Sequence, residues 1–259
     1  MNRNKPHHSS RPASRPSEDQ GPVRLYGIHA VAAALANPAR EIGRLLLTDN
    51  AEHRLVAAIA ARNARSQKVT PRDLDRLLGS DTVHQGALLE TADLAEPTLD
   101  ELATASTTKG PLVVLDQVTD PHNVGAILRS AAVLGAGGLI MTRRHSPPLS
   151  GSLAKAASGG LEVVPVALVA NLARALDEFG ELGVRRIGLD GDGDVTIDKA
   201  DFSGAVALVL GAEGKGLRRL TRESCDVLAR VPAAGGFASL NVSNAAAVAL
   251  YAGARARTG

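Results

Sequence analysis

Short apolar runs of strand length recur along the C-terminal part of the chain, and helix-like segments separate most of them. The runs lie at 112–115, 138–141, 161–166, 186–189, 205–210 and 227–231. Short apolar strands that alternate with helices are typical of a mostly parallel sheet covered on both faces. The sequence therefore predicts an α/β fold for residues 111–259, with any ligand bound in loops beyond the carboxyl ends of the strands.

A smaller α/β unit is predicted over residues 22–92. Helix patterns at 29–36, 55–60 and 71–78 alternate with short strands at 42–48, 69–70 and 87–90. Residues 93–110 contain Pro97, Gly110 and a cluster of Thr and Ser, so we expect a linker there, with a short helix around 99–103. Residues 1–21 are rich in Arg, Pro and Ser and are predicted to form a disordered, mildly basic tail.

Composition excludes several classes of protein. The chain of 259 residues has a single cysteine, Cys225, which excludes an internal disulfide framework and a cysteine-rich zinc site. Neither a signal peptide nor a long apolar span is evident, so we expect a cytoplasmic protein with no membrane partner. The net charge of +2 does not by itself indicate a nucleic-acid partner. The aromatic content of 2% leaves few side chains that could stack on single-stranded RNA.

The first of three unusually polar loops lies at 120–131, after the predicted strand that ends at residue 115. Val124, Ile127 and Leu128 form an apolar stripe, which predicts a helix packed on the sheet. Asn123 occupies the expected position of the helix cap, and Arg129 lies off the stripe, where it can face a ligand. A capping role for Asn123 and a solvated Arg129 are simpler interpretations that remain open for this loop alone.

The second polar loop, at 210–217, reads Leu-Gly-Ala-Glu-Gly-Lys-Gly-Leu. Its three glycines surround Glu213 and allow the backbone to approach a ligand closely. The spacing matches neither a P-loop nor the dinucleotide-binding glycine pattern, so nucleoside triphosphate and NAD chemistry are not indicated. Glu213 could also be an ordinary loop carboxylate.

The third polar loop, at 231–245, precedes an alanine-rich helix. Ser239, Asn241, Ser243 and Asn244 crowd the start of that helix, although one such residue is enough for an N-cap. The surplus of polar side chains indicates that they gather around a ligand.

Together, these loops resemble the three motifs of the SpoU/TrmH family of RNA 2′-O-ribose methyltransferases. The motifs occur in the family's order, as Asn-Val-Gly-Ala-Ile-Leu-Arg-Ser-Ala at 123–131, the loop at 210–217, and Ser-Leu-Asn-Val-Ser-Asn-Ala at 239–245. Further similarity lies at 155–166 and, within the small unit, at 26–31 and 83–86. The last two segments are most similar to the branch that methylates a guanosine of 23S ribosomal RNA.

The resemblance implies a fold that periodicity alone does not reveal. Residues 111–259 would form a SPOUT domain with a mostly parallel sheet and a deep trefoil knot, a topology that is almost absent elsewhere. Residues 22–92 would form a ribosomal-protein-like substrate-binding domain. The resemblance also implies S-adenosylmethionine as cofactor, 23S rRNA as partner, and a homodimer formed through the knot domain, for which Tyr251 on the last helix would be suitable.

The resemblance also assigns roles to individual residues. The motif positions associated with catalysis are occupied by Asn123, Arg129, Glu213, Ser239 and Asn241. The cofactor contacts would come from Leu210, Gly211, Val231, Ala233, Ser239 and Leu240. Since a guanidinium normally stays protonated, we interpret Arg129 as a ligand of an RNA phosphate that also stabilises the developing alkoxide, and not as a base. Glu213 would then orient Arg129 or Asn123.

Three basic residues are candidate RNA contacts. Arg143 and Arg144 follow the predicted strand that ends at residue 141, and His122 adjoins Asn123. A solvated basic turn and a local hydrogen bond of His122 are the alternatives. No metal is expected: the Asp-Gly repeat at 190–194 is similar to the start of a calcium-binding loop, but Val195 stands where that loop needs glycine.

Three other functions remain open at this point. The chain could methylate a transfer-RNA ribose, or it could be a ribosome-directed antibiotic-resistance methyltransferase. It could also be a non-catalytic RNA-binding assembly factor, although all five matched polar positions argue against that.

Overall fold

The computed structural model describes residues 21–232, Gly235 and residues 240–258. Nearly all of the predicted tail lies outside the described residues, as do Ala233 and Ser239. Within the described part of the chain, no helix combines the length and apolarity needed to cross a membrane.

The small unit is a four-stranded sheet with three helices. Its elements in chain order are β1 (Val23–Tyr26), α1 (Ile28–Ala36), β2 (Ile42–Leu47), α2 (Asp49–Arg62), β3 (Ser66–Lys68), α3 (Pro71–Leu78) and β4 (Ala87–Thr91). The strand order is β1-β4-β2-β3, and only the β2–β3 pair is parallel. The strand predicted at 69–70 is misplaced, because Thr70 instead caps α3 by accepting a hydrogen bond from the Asp73 backbone.

The large unit is built on a seven-stranded sheet. Its elements are α4 (Leu99–Thr108), β5 (Leu112–Asp116), α5 (Pro121–Leu134), β6 (Gly138–Thr142), α6 (Gly151–Ala157), β7 (Val166–Val169), α7 (Leu172–Glu181), β8 (Arg185–Leu189), β9 (Val195–Thr196), β10 (Val206–Gly211), α8 (Arg219–Glu223), β11 (Val227–Arg230) and α9 (Val242–Thr258). The order is β7-β6-β5-β10-β8-β11-β9, and every pair is parallel. The predicted α/β fold is confirmed. The trefoil knot stays a prediction.

Alternation along β5 shows how the sheet is covered on both faces. Val113 and Leu115 join the apolar core beneath α5, α6 and α9, whereas Leu112 and Val114 join the core beneath α4 and α7. All four side chains are buried. Successive residues of a strand point to opposite faces, so a continuous apolar run is what a doubly covered strand requires.

Two sequence predictions are wrong or incomplete in this unit. The strand predicted at 161–166 is a one-turn 3₁₀ helix at Gly160–Glu162 followed by an irregular stretch, and β7 starts only at Val166. Gly159 enters that turn at a φ of +99°, a conformation that suits glycine and breaks an extended strand. The predicted linker 93–110 contains α4, longer than expected, whose Leu102 is buried against the sheet.

The small and large units share one continuous apolar core, to which α1 contributes Val31 and α6 contributes Leu153. A buried ion pair lies at their junction: Arg40 donates from Nη2 to Oε1 of Glu162 at 2.7 Å and from Nε to Oε2 at 3.1 Å. The side chains of Arg40 and Glu162 are only 2% and 5% exposed. Asn37 adds a hydrogen bond to Glu162 at 2.8 Å. The junction is therefore a packed and fully paired contact.

Candidate active site

The three polar loops meet because two strands that are distant in sequence are neighbours in the sheet. In the register of β5 with β10, Leu115 lies opposite Leu210 and Asp116 lies opposite Gly211. The loop before α5 and the loop after β10 therefore leave the same edge of the sheet side by side. The start of α9 joins them there, since α9 packs against both α5 and β10.

The N-terminus of α5 differs from the prediction. Asp120, not Asn123, caps the helix by accepting a hydrogen bond from the His122 backbone at 3.0 Å, and Pro121 occupies the first turn. Asn123 therefore lies within the first turn, and its side chain is available for contacts outside the helix.

Asn123, Glu213 and Asn241 form an amide–carboxylate cluster that joins the three loops. Asn123 donates from Nδ2 to Oε1 of Glu213 at 3.1 Å. Asn241 donates from Nδ2 to Oδ1 of Asn123 at 3.0 Å and also to Oε1 of Glu213. Oε1 of Glu213 therefore accepts from both amides, whereas Oε2 has no protein partner among the described residues. The cluster fixes the direction of both amides and leaves one carboxylate oxygen available to a ligand.

Asn241 also caps α9. Its Oδ1 accepts from the Ser243 backbone at 2.8 Å and from the Ser243 hydroxyl at 2.6 Å. The same side chain thus satisfies the helix start through its oxygen and reaches the cluster through its nitrogen. This arrangement explains part of the surplus of polar residues before α9 without a ligand.

The glycines of the 210–217 loop serve the loop's own backbone. Gly216 N donates to Ala212 O at 2.9 Å, and Gly214 and Gly216 adopt φ angles of +73° and +63°. A Cβ on Gly211 would lie 2.1 Å from the carbonyl carbon of Gly216. The loop therefore folds tightly back on itself and presents Glu213 at an exposed position. The sequence predicted instead that these glycines let the backbone approach a ligand.

Arg129 lies two turns into α5, exposed, and its side chain has no partner among the described residues. It lies six positions beyond Asn123, which corresponds to about 9 Å along the helix axis. Of the two roles expected for Glu213, the structure brings it to Asn123 and not to Arg129. Arg129 is thus available to a ligand group that lies beside the cluster.

The predicted cofactor contacts that the structure describes surround the ends of β10 and β11. Leu210 is buried at 1% exposure, so only its backbone can face a ligand, whereas the Leu240 side chain is 49% exposed. Gly211 ends β10, Val231 directly follows β11, and Leu240 precedes α9. These residues offer backbone polar groups and an apolar side chain at a single sheet edge.

The three candidate RNA contacts have different surroundings. Arg143 is held by Glu96 through two hydrogen bonds of 2.9 and 2.7 Å, and it also donates to Leu168 O at 2.9 Å. The hydrogen bonds that Arg143 donates to Glu96 raise the pKa of Arg143 above its usual value. The Arg144 side chain is exposed and has no partner within the described ranges, and His122 is also exposed. Arg143 is therefore engaged in an exposed ion pair, whereas Arg144 and His122 remain accessible; all three stay predicted RNA contacts.

One ion pair at this edge was missed by the sequence analysis. Asp116, fully buried at the end of β5, accepts from the Arg218 backbone at 3.0 Å and from Arg218 Nε at 2.6 Å. The signal was an aspartate that closes an otherwise apolar strand, because a buried carboxylate requires a partner. The pair ties the end of the 211–218 loop to β5.

Two other features carry no catalytic chemistry. Asp190, from the calcium-like repeat, accepts from the Asp192 backbone at 2.9 Å and from Arg222 Nε at 3.0 Å, and these bonds lower its pKa. The described residues contain no group of three or more His, Cys, Asp or Glu able to hold a metal ion.

Burial raises the pKa of Cys225 to about 12, so its thiol stays protonated near neutral pH and is a poor nucleophile.

Comparison with known proteins covers nearly the whole chain. The SpoU rRNA Methylase family model matches residues 110–251, and a model for RNA 2′-O ribose methyltransferase substrate binding matches residues 24–97.

Named relatives and solved structures agree with these matches. The 23S rRNA (guanosine-2′-O-)-methyltransferases RlmB of Ralstonia nicotianae and of Shewanella oneidensis are each 42% identical, over 90% of this chain and 96% and 97% of their own lengths. The crystal structure of the SpoU methyltransferase AviRb from Streptomyces viridochromogenes, in complex with the cofactor AdoMet, superposes with a TM-score of 0.77 at 26% identity, covering 92% of this chain and 91% of that chain.

Proposed function

This chain belongs to the SpoU rRNA methylase family, and we propose that it transfers a methyl group from S-adenosylmethionine to the 2′-hydroxyl of a guanosine ribose in 23S rRNA. The observation that carries the proposal is the amide–carboxylate cluster, in which all three motif loops converge at one sheet edge. The small unit, which matches the substrate-binding model, supports an RNA substrate.

S-Adenosylmethionine supplies an electrophilic methyl group on a sulfonium sulfur. The chain would hold it through backbone groups of Leu210, Gly211 and Val231 and through the exposed side chain of Leu240. Ala233 and Ser239 belong to the proposed set but lie outside the described residues. The fit rests on the kind of residues present: backbone groups at strand ends beside the exposed apolar side chain of Leu240 suit a flat base carrying a ribose.

Transfer of the methyl group is an in-line displacement in which the oxygen–carbon bond forms as the carbon–sulfur bond breaks, so alignment of the ribose is a large part of catalysis. The thioether leaves, and the proton of the hydroxyl passes to solvent. The proposed role of Asn123 and Asn241 is to hold Glu213 so that its second oxygen, Oε2, accepts a hydrogen bond from a ribose hydroxyl. Arg129 binds a neighbouring phosphate and stabilises the alkoxide that develops on the 2′-oxygen. Ser239 is retained as a fifth catalytic candidate.

A homodimer and a cytoplasmic location complete the proposal. Val248 and Tyr251 lie three residues apart on α9 and are 39% and 56% exposed, whereas Ala246, Ala249 and Leu250 face the core. Exposed apolar side chains beside each other on a helix are typical of a contact surface, which supports pairing through α9. His122 and Arg144 remain proposed RNA contacts.

The test is methylation in vitro, followed by analysis of nucleosides. Purified protein is incubated with unmodified 23S rRNA transcript and S-adenosylmethionine labelled on the methyl group. We expect label in 2′-O-methylguanosine, and we expect its loss in the Arg129→Ala variant. Label in a base, in another ribose, or in no nucleoside would contradict the proposed reaction.

A further inference from the structure

A cavity of about 410 Å³ opens at the carboxyl ends of β5, β6 and β7, on the sheet face covered by α7 and α8. It lies on the opposite face from α5, which carries Asn123 and Arg129, and from α9, which Asn241 precedes. The lining includes the side chains of Arg144, His145, Arg218 and Arg219, and none of the residues that line it is an aspartate or a glutamate. The cavity thus concentrates hydrogen-bond donors. Of its arginines, Arg218 is paired with Asp116 and Arg219 with Glu223, which leaves Arg144 as the arginine without a partner among the described lining residues.

Arg218 is held in place by an ion pair with a buried carboxylate. Asp116, fully buried, binds the Arg218 backbone nitrogen and Nε, which leaves the two terminal nitrogens of the guanidinium without a partner among the described residues. The Arg218 side chain is 53% exposed. A guanidinium that is fixed at Nε by a buried carboxylate and belongs to a residue lining a cavity can bind an oxyanion through its terminal nitrogens.

Arg144 is presented by an ordered turn. The buried Thr142 hydroxyl, at the end of β6, donates to the Arg144 carbonyl oxygen at 2.7 Å, and His145 follows with a φ of +68°. The Arg144 side chain has no partner in the described part of the chain. Asn171, which caps α7 through its Oδ1, adds an amide nitrogen to the lining.

The cavity is connected to the amide–carboxylate cluster by two short loops. The loop after β10 carries Glu213 to the cluster and Arg218 to the cavity, and the loop after β5 runs from Gln117 in the cavity lining to Asn123 in the cluster. An extended ligand that crosses this sheet edge would therefore contact both sites. RNA is such a ligand, with one negative charge per nucleotide.

We propose that this cavity binds a phosphodiester group of the RNA substrate that flanks the methylated nucleotide, through the guanidinium groups of Arg144 and Arg218. The proposal rests on the proposed function, because it takes RNA as the substrate. It differs from the role of Arg129, which acts beside the 2′-oxygen on the other face of the sheet. Its contribution is to RNA affinity and register.

The test compares RNA affinity over a series of salt concentrations for the wild-type protein, Arg144→Gln, Arg144→Lys and Lys199→Gln. Lys199 is an exposed cation beside the edge strand β9, at the other end of the sheet, and serves as the matched control for loss of one charge. We expect Arg144→Gln to bind 23S rRNA transcript about tenfold more weakly, with a salt slope smaller by about 0.7–0.9. Arg144→Lys keeps most of the slope, and Lys199→Gln changes neither quantity.

A second variant tests Arg218 without leaving a buried charge unpaired. The double substitution Asp116→Asn with Arg218→Gln replaces the ion pair by two neutral amides, and thermal unfolding reports whether the fold is kept. We expect the double variant to bind RNA more weakly than the wild-type protein, with a smaller salt slope. A folded double variant with wild-type RNA affinity would remove Arg218 from the proposal.

Two outcomes separate this proposal from the proposed function. If the wild-type protein binds S-adenosylmethionine and methylates the transcript, but Arg144→Gln and Lys199→Gln bind RNA alike, the cavity proposal is overturned and the function stands. If no methyl transfer occurs and Arg144→Gln alone loses affinity and slope, the function fails and the cavity stands as an RNA-binding site. Equal competition by inorganic phosphate and by a short RNA would identify a free-anion site and overturn the RNA assignment.

Discussion

The junction between the two units and the amide–carboxylate cluster use the same chemistry in opposite surroundings. Each has a glutamate that accepts hydrogen bonds from segments distant in sequence: Glu162 binds Arg40 and Asn37, and Glu213 binds Asn123 and Asn241. Glu162 is buried, whereas Glu213 is exposed. Burial makes a missing partner expensive, so the junction should determine stability while the cluster determines function.

The largest expected effect is on the junction. We expect Arg40→Met to lower the free energy of unfolding by about 3–5 kcal/mol, because it leaves Glu162 buried and without its cation. Denaturant unfolding measures this. In the control, Arg40→Met combined with Glu162→Met removes both charges and should recover much of the loss; a double variant as unstable as the single one would show that packing, and not the ion pair, holds the junction.

The next effect is on catalysis. We expect Arg129→Lys to lower turnover on bound RNA by about a hundredfold, since an ammonium cannot reproduce the bidentate geometry of a guanidinium. The free energy of unfolding should change by less than about 0.5 kcal/mol, as for other exposed positions. Arg174→Lys, on α7 and equally exposed, is the control. Near-normal turnover of Arg129→Lys would rule out the clamp.

A smaller loss is expected for Glu213→Gln. The amide keeps an oxygen that can accept from Asn123 and Asn241 but loses the charge, so we expect turnover to fall about tenfold with stability unchanged. Single-turnover kinetics with saturating RNA measures this step. A fall in stability comparable to that of Arg40→Met would break the contrast between the two glutamates.

The smallest effect is expected at an exposed ion pair, between Arg143 and Glu96. The two side chains are 57% and 38% exposed, and exposed pairs contribute about 1 kcal/mol or less. We therefore expect Arg143→Gln to lower the free energy of unfolding by less than about 1 kcal/mol. In contrast to Arg144→Gln, it should leave RNA affinity unchanged. Loss of RNA affinity would confirm Arg143 as an RNA contact. Unfolding curves measure the free energy of unfolding, and filter binding measures the RNA affinity.

Local sequence signals predicted the elements whose patterns are complete within a few residues. The strands β5, β6, β10 and β11 were expected close to their observed positions, because each is a short apolar run. The strand predicted at 161–166 is wrong, because an apolar segment of that length can also form a buried turn. The cap of α5 could have been read from Asp120 followed by Pro121, which mark a helix start better than Asn123 does.

The contacts that unite distant segments had no local signal. Nothing near Arg40 indicates Glu162, which lies 122 residues away and reaches the pair only because the 3₁₀ turn replaces the expected strand. The pairing of Asp116 with Arg218 likewise depends on the adjacency of β5 and β10. The motif loops could be identified from the sequence because the family resemblance supplied their order. The hydrogen bonds of the amide–carboxylate cluster could not, because they depend on which strands are neighbours in the sheet.

The strand order has a consequence for synthesis of the protein on the ribosome. β5 is translated early, but its neighbour β10, at the centre of the sheet, comes only after β6, β7, β8 and β9. At about 5–20 residues per second, the emerging chain waits several seconds with one edge of β5 unpaired. During that interval an apolar strand lacks both its partner and the cover of α9, and its unpaired edge is open to pairing with another chain. The small unit, whose strands are all complete by Thr91, can fold before this wait begins.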